Sequence, residues 1–586
     1  MAACMDGTNR SMDAPTPHAT LVDAVRHHAT SGAPGSIETS GSDAGQLSYP
    51  SFWARALRCA QELHARGVQP GDRVAIDTST SMDLMVSLVG VLAAGGVLVP
   101  LQRVRSISSH DHRMAVSAVS LSRARWCLAS AGRTDVYRSV FEAAGSAATV
   151  IPLPEVAGVL SPPSPEQPVE LDVNQPALIQ FSSGSTSAPK GIVLTHRNVA
   201  TNLAGLTGRL GLGHADRTVS WLPFSHDMGL LGCFGTTLYG GAALRVMDPW
   251  TFIRRPEQWI SELSQFRATH TSSPVFGYAM VVRRLHSGLD RLARCDLSGL
   301  RAAIIGAETI APELCDEFED LLAPLGLQRH TLIPAYGLAE NCVGVAVRTP
   351  RTPSTLRQFD RQTMLVGHPV STTSSTGNGH PVLIGHGAPL PGTSVRVLSE
   401  AGQVLDEGEV GELYIGGQSA ARSVINSSGQ EHPVREDGLV PTGDLGVMVD
   451  GEVFVVGRIK EVFKHDGRIF APPDLEAAVL AARPDGVTAA VVVAAKDSDH
   501  MAESVLVFLE ARRGTTPADA AAAARLTLLR EFHIRARDVF VGPPGSVPRT
   551  TSGKAKRSAL AAAYLAGDIE DAYPVRRVVI EEHQQE

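Results

Sequence analysis

Short runs of β-branched and other apolar residues recur along the chain, at 73–78, 97–101, 177–181, 219–223, 302–306 and 331–335. Each is followed by a stretch whose apolar positions return every three or four residues. Runs of this length read as buried strands and the following periodicity as helices, and such alternation predicts parallel sheets covered by helices. The pattern changes further on, where the runs 395–398, 412–416 and 453–456 are punctuated by Gly and Asp and predict hairpins of a smaller β subdomain. After Arg458 it restarts, with strands at 487–494 and 505–509, an Ala-rich helix at 518–532 and a basic, Gly-containing stretch at 548–556. The expected fold class is α/β, with a large N-terminal domain at 21–458, made of parallel-sheet subdomains plus a β subdomain, and a small α+β C-terminal domain at 459–586.

Three segments lack this order. Most of the first 45 residues are rich in Ser, Thr, Gly and Ala and read as a loose tail, with 1–20 expected to be disordered. The Pro-rich stretch 161–170 reads as a connector. The polar tract 371–380, expected to be mobile, lies inside a longer segment, 353–389, that looks inserted.

Composition narrows the function classes. A chain of 586 residues exceeds what a single core supports. Its 52 Lys and Arg against 60 Asp and Glu leave a net charge of -8, which offers no general attraction to nucleic acid or anionic membranes. Any phosphate site must therefore be local. The seven cysteines are scattered without metal-ligand or redox spacing, which argues against a disulfide framework or a zinc site. Neither a secretory pattern nor an apolar run long enough to span a membrane is visible, so a soluble, cytoplasmic protein is expected.

The most chemical stretch follows the strand at 177–181: Phe181-Ser182-Ser183-Gly184-Ser185-Thr186-Ser187-Ala188-Pro189-Lys190-Gly191. Hydroxyls, backbone N–H groups freed by Gly184 and the ammonium of Lys190 can together surround polyphosphate oxygens. It is not a Walker A loop, because Pro189 precedes the lysine. Taken alone it reads equally well as a Ser/Gly linker. Further elements follow in order. Ser220-Trp221-Leu222-Pro223-Phe224-Ser225-His226-Asp227-Met228-Gly229 puts a polar pair beside apolar residues, as a site joining a carboxylate head to an oily tail requires; alone, His226 reads as a packed histidine. Gly306-Ala307-Glu308 and Tyr336-Gly337-Leu338-Ala339-Glu340 each close a strand, where ligands of open α/β sheets collect. Tyr336 suits stacking on a base and Glu340 suits Mg²⁺.

Together these elements resemble those of the adenylate-forming superfamily of acyl-CoA synthetases, luciferases and peptide-synthetase adenylation domains. The resemblance covers roughly residues 20–570. It implies ATP and Mg²⁺ as cofactors, with Ser182, Ser183, Gly184, Ser185, Thr186, Lys190, Gly306, Ala307, Glu308, Tyr336 and Gly337 binding ATP and Glu340 holding the metal. In Thr442-Gly443-Asp444-Leu445-Gly446 it assigns Asp444 to the ribose hydroxyls. In Gly457-Arg458-Ile459-Lys460-Glu461 it assigns Arg458 to the nucleotide and makes Lys460 the pivot between domains. Pro548-Arg549-Thr550-Thr551-Ser552-Gly553-Lys554 supplies Lys554, the implied catalytic lysine alongside Glu340.

Within the superfamily the chain is most similar to fatty acyl-AMP ligases, on the elements Ser220–Gly229, Tyr336–Glu340 and Leu356-Arg357-Gln358-Phe359-Asp360-Arg361, which opens the inserted segment. That likeness implies activation of a carboxylic acid, of the fatty type, with His226, Asp227, Met228 and Gly229 flanking the acyl group, and transfer from acyl-AMP to an acyl carrier protein. An acyl- or aryl-CoA synthetase and a catalytically silent nucleotide- or acyl-binding relative are the competing readings. Two departures stand out. Gly467-Arg468-Ile469-Phe470-Ala471-Pro472 replaces three polar or aromatic residues of the usual pattern, which is expected to affect acceptor transfer. Asn341-Cys342 after the glutamate is expected to alter the acyl pocket, with Cys342 a small buried filler rather than a nucleophile.

Overall fold

The computed structural model describes residues 16–41, 44–106, 109–157, 169–182, 190–286, 288–373, 380–434, 437–465, 468–482, 484–496, 503–549 and 555–579. The chain forms two compact units. One comprises Met1–Ser354, His386–Val395 and Tyr414–Thr442; the other comprises Thr355–Gly385, Arg396–Leu413 and Gly443–Glu586. The division is not a single cut at residue 458, because most of the inserted segment and part of the β subdomain group with the C-terminal residues.

Among the described residues the first unit contains two eight-stranded sheets. In one, the order is Ala346–Val347, Leu332–Tyr336, Ala302–Gly306, His270–Pro274, Arg217–Ser220, Ala243–Val246, Ser36–Thr39 and Gly45–Ser48. The strands between its two antiparallel edges run parallel, so their carboxyl ends share one border. The other sheet has Pro176–Ser182, Val97–Leu101, Arg73–Asp77, Trp126–Ala129 and Thr149–Pro152 in parallel. It is extended by Lys190–Thr195, antiparallel to Pro176–Ser182, and by Ser423–Ile425 and Glu431–Pro433. Helix Met82–Ala93 is buried from Leu84 through Ala93, the mark of a helix with apolar residues all round and no solvent face. It meets helix Tyr49–Ala65 so closely that a Cβ on Gly90 would lie 2.7 Å from the Cys59 sulfur.

The expected α/β class with parallel sheets is what forms. The loose reading of the first 45 residues is corrected from Leu21 onward. Thr20 caps helix Leu21–Thr30 by accepting the Asp23 N–H, and Leu21, Val22, Ala24 and Val25 are buried. Ser36–Thr39 then enters the sheet beside Ala243–Val246. The Ser and Thr content of this stretch supplies a cap and a half-buried strand rather than disorder; residues 1–15 lie outside the described residues. The run at 219–223 ends as a strand at Ser220. The connector at 161–170 and the polar tract at 371–380 fall largely on 158–168 and 374–379, also outside the described residues.

In the second unit, the inserted segment forms a strand pair, Leu356–Gln358 with Val382–Ile384. It is held by Phe359, whose ring lies 5.6 Å from that of Phe454, and by Arg361. Arg361 is 5% exposed. Its guanidinium donates to the Ile469 carbonyl at 2.9 Å and to Asp474 at 2.8 Å, and lies 4.8 Å from the Phe470 ring centre. The C-terminal part is a sheet of Val487–Lys496, Glu503–Ala511, Asp538–Gly542 and Arg576–Arg577, covered by helices Pro472–Ala481, Pro517–Phe532 and Arg557–Ala566. No helix among the described residues is long and apolar enough to cross a membrane.

Candidate active site

The parallel sheet of the first unit brings the carboxyl ends of its strands together. Pro274 is in register with Gly306, and Ile305 with Pro334, so Gly306–Glu308 and Tyr336–Glu340 leave the sheet side by side. Small residues are forced here by backbone proximity. A Cβ on Gly306 would lie 2.5 Å from the Ala335 oxygen, and one on Gly337 would lie 1.8 Å from the Val343 oxygen. Ala307 takes a left-handed φ of 65°, rare for a residue with a side chain and common where a loop is shaped for a ligand. Glu308 then turns back so that its carboxylate accepts the Phe276 N–H at 3.2 Å, near the start of helix Val275–Leu285. Tyr336 is 8% exposed, its ring edge-on to His386 at 6.1 Å.

The Ser220–Gly229 element leaves the same border. Trp221 anchors it, stacked on Phe252 with ring centres 3.8 Å apart. His226 accepts the N–H groups of Gly229 and Leu230 on its carbonyl, and Asp227 caps the π-helical turn Met228–Gly235 by accepting the Met228 N–H at 2.8 Å. A Cβ on Gly229 would lie 2.4 Å from the Pro223 oxygen, which explains why glycine closes the motif. Turns of this rare wide type are frequent at functional sites. The turn packs towards the loop after Glu340, since a Cβ on Gly232 would sit 3.4 Å from the Val343 side chain.

Glu340 is half-buried in the short turn Ala339–Asn341, and its carbonyl accepts the Ala421 N–H at 2.8 Å. The two unusual residues after it are accounted for by this loop. Asn341 is fully buried, donating to the Gly344 carbonyl at 2.6 Å and the Thr393 hydroxyl at 3.0 Å while accepting from Ser419 at 3.1 Å. Cys342 donates to the Ser419 carbonyl, and burial pushes its thiol pKa well up, away from nucleophilic chemistry.

Ser182 and Lys190 face each other across the hairpin of Pro176–Ser182 and Lys190–Thr195, and Lys190 is exposed. Ser183, Gly184, Ser185 and Thr186 lie outside the described residues. Gln180, which belongs to none of the motifs, is 3% exposed and donates to the Ser225 carbonyl at 2.7 Å. It ties this hairpin to the His226 element, and the only trace of it in the sequence is one amide inside the apolar run 177–181.

In the second unit, Asp444 and Arg458 are opposite residues of the hairpin Val440–Val449 and Glu452–Arg458, and they form an ion pair at 2.9 Å. Asp444 is buried and Arg458 is exposed. A register shift between Leu445 and Gly446 and a left-handed Gly443 shape the strand beside them. Lys460 follows on an exposed turn in which the Arg458 carbonyl accepts the N–H groups of Glu461 and Val462. Lys554 lies outside the described residues. Ile469, Phe470 and Ala471 are buried within this unit; Phe470 lies under Arg361 and the Ile469 carbonyl accepts from it, so these two residues pack against the inserted segment.

The family model described as AMP-binding enzyme matches residues 26–424. A long-chain-fatty-acid–AMP ligase of Mycobacterium marinum is 32% identical over 551 residues, covering 88% of this chain and 91% of the relative. A 4-hydroxyphenylalkanoate adenylyltransferase of Mycobacterium tuberculosis is 32% identical over 544 residues, covering 87% of this chain and 85% of the relative. Among solved structures, one from a study of fatty acyl-adenylate ligases of E. coli and L. pneumophila has a TM-score of 0.83 at 26% identity, covering 95% of this chain and all of that one.

Proposed function

The chain belongs to the AMP-binding enzyme family, and we propose on that footing that it is an adenylate-forming ligase whose substrate is a carboxylic acid carried on an alkyl chain. A carboxylate oxygen attacks the α-phosphorus of ATP, the bond from that phosphorus to the bridging oxygen breaks, and pyrophosphate leaves with the electron pair. The product is acyl-AMP. What carries this reading is the pairing of Gly306–Glu308 with Tyr336–Glu340 at one sheet border, in a chain 32% identical to an enzyme named for forming fatty acyl–AMP.

The obstacle to this reaction is like charge, because an anionic carboxylate must approach an anionic phosphate. In our reading Lys190 and the hydroxyls of 182–186 restrain the outer phosphates, Tyr336 lies against the base, and Asp444 and Arg458 hold the ribose and its neighbourhood. His226–Gly229 flank the acyl group. Glu340 offers the hard carboxylate oxygen that suits Mg²⁺, and the ion, when bound, supplies positive charge to the phosphate oxygens. Lys554 contributes an ammonium to the carboxylate and α-phosphate, a role that requires no proton transfer. The acceptor is the thiol of an acyl carrier protein, which displaces AMP.

One relative is named for long-chain fatty acids and another for 4-hydroxyphenylalkanoates, so an alkyl end and a phenol end are the two tails to compare. Pyrophosphate–ATP exchange across fatty acids of varied length and ω-(4-hydroxyphenyl)alkanoic acids decides between them. Lys554→Ala is expected to lower exchange by about 100-fold or more with ATP binding retained; an unchanged rate refutes the assignment. Thioester formation on a phosphopantetheinylated carrier compared with free coenzyme A tests the acceptor.

A further inference from the structure

Gln180 is the one amide in the apolar run 177–181 of strand Pro176–Ser182. Its Nε2 donates to the Ser225 carbonyl at 2.7 Å, and because a carbonyl only accepts, that contact fixes which way the amide faces. Side chains alternate along a strand, and here the two faces separate. Ile179 and Phe181 belong to the core around Tyr137 and Phe141, whereas Leu178 joins Leu230, Leu231 and Phe234 around a small apolar cavity. Gln180 shares the face of Leu178, about 7 Å further along the strand. An apolar side chain of the same volume would fill that position without the cost of burying an amide, so what Gln180 adds is the bond to Ser225.

These two side chains meet the two ends of one segment. After leaving its sheet at Ser220, the chain is closed into a turn locally, by the Leu222 N–H on the Ser220 hydroxyl at 3.2 Å and the His226 N–H on the Pro223 carbonyl at 3.2 Å. Ser225 is buried, His226, Asp227 and Met228 are half-buried, and from Gly229 the chain is buried again. Leu230, Leu231 and Phe234 follow in the π-helical turn Met228–Gly235. Gln180 therefore holds the residue before His226, and Leu178 packs on the residues after Gly229, with 226–229 between them. The strand is the rigid member of this arrangement, paired with Lys190–Thr195 on one side and Val97–Leu101 on the other.

We propose that Gln180 is a positioning residue for the acid substrate: held in the sheet, it fixes the Ser225 carbonyl and so sets where His226–Gly229 stand beside the reacting carboxyl end. This rests on the function proposed above, in which His226–Gly229 flank the acyl group. Leu178 steadies the apolar side of the segment by packing, while the Gln180 amide gives its polar side a direction. A reacting group displaced by about 1 Å can cost about 100-fold in rate, so one buried hydrogen bond has leverage here beyond its contribution to stability.

Gln180→Met in the full chain keeps the volume and removes the donor. With octanoate and dodecanoate as probe acids in pyrophosphate–ATP exchange, KM for each acid is expected to rise about fivefold or more, by the same factor for both, while KM for ATP moves less than about twofold. The factors are equal because the bond acts at the carboxyl end, which the two acids share. Should Gln180→Met fail to fold, Gln180→Asn, whose amide is too short to reach Ser225, is read by the same comparison. A merely structural role lowers kcat with the folded fraction and leaves both KM values unchanged, and that result overturns the inference. So does a rise in KM for ATP as large as that for the acids, which assigns Gln180 to the Ser182 and Lys190 hairpin instead, and so does a rise confined to dodecanoate. Each of these leaves the functional reading standing. A wild type that exchanges with none of the acids screened overturns that reading, and the inference with it.

Discussion

His196 opens helix His196–Leu210 with its ring 4% exposed, among Leu21, Val199, Leu230 and Phe234. Burial disfavours the imidazolium and lowers its pKa from 6.5 to about 4, only partly opposed by Asp23 and Asp172. The unfolded chain therefore binds a proton in a range where the folded chain does not. Stability from this residue is complete above the unfolded value and is lost as pH falls from about 6.5 to about 4, by about 3 kcal/mol. Because His18, His28 and His270 are shifted in the same direction, the comparison must be made against a variant. Urea denaturation across that range is expected to show His196→Gln losing about 3 kcal/mol less than the wild type; parallel profiles would show that the ring is charged when folded. Nothing in the sequence marked this histidine, since burial is set by strands and helices remote in the chain. The glycines at 306, 337 and 229 were legible inside their motifs, but their reason, a carbonyl oxygen within 2.5 Å of each missing Cβ, appears only once the neighbouring loops are in place.

At the scale of elements, the same helix shows how much an N-terminus can carry. Thr195 and Asn198 cap it reciprocally, and the Asn198 amide goes on to donate to the carbonyls of Gln418 at 2.7 Å and Ala420 at 3.0 Å. The cap is thus also the tie between the helix and the chain beyond 414. Removing it takes a donor from the carbonyls of Gln418 and Ala420 and an acceptor from the Thr195 N–H. Asn198→Ala is expected to cost about 3 kcal/mol, against about 1 for an exposed cap, measurable as a shift in denaturation midpoint with unchanged slope. The local half of this device, Thr followed by Asn just ahead of an amphipathic run, is visible in the sequence. The distant half is not. The parallel strands were legible for the same local reason, as apolar runs with helical periodicity between them. Helix Leu21–Thr30 was not, because its buried face is short and sits in a stretch dominated by Ser, Thr, Gly and Ala.

At the scale of the molecule, element order could be read but grouping could not, because periodicity says what a segment is and not which remote segment it packs on. The inserted segment is the instructive case, and Arg361 is its anchor. The guanidinium has Asp474, the Ile469 carbonyl and the rings of Phe470 and Phe532 around it, all within the second unit. Burial pushes the Asp474 carboxyl up, and Arg361 is what opposes it. An acid with a folded pKa above its unfolded one is most stabilising when protonated, and that contribution is lost as pH rises through the folded value. Arg361→Leu removes the opposing charge and leaves Asp474 buried without its cation, so its folded pKa rises further and the loss with pH becomes steeper. The variant is expected to be less stable than the wild type by about 3–5 kcal/mol at pH 7. That deficit should shrink towards pH 4, where Asp474 can be neutral in both folded and unfolded chains. Adding Asp474→Asn to Arg361→Leu should restore much of the stability lost at pH 7, since the stranded charge is then gone. A deficit that does not vary with pH, or an Asp474→Asn substitution that gives no recovery, would mean that the aromatic stacking and not the buried ion pair holds the inserted segment in place.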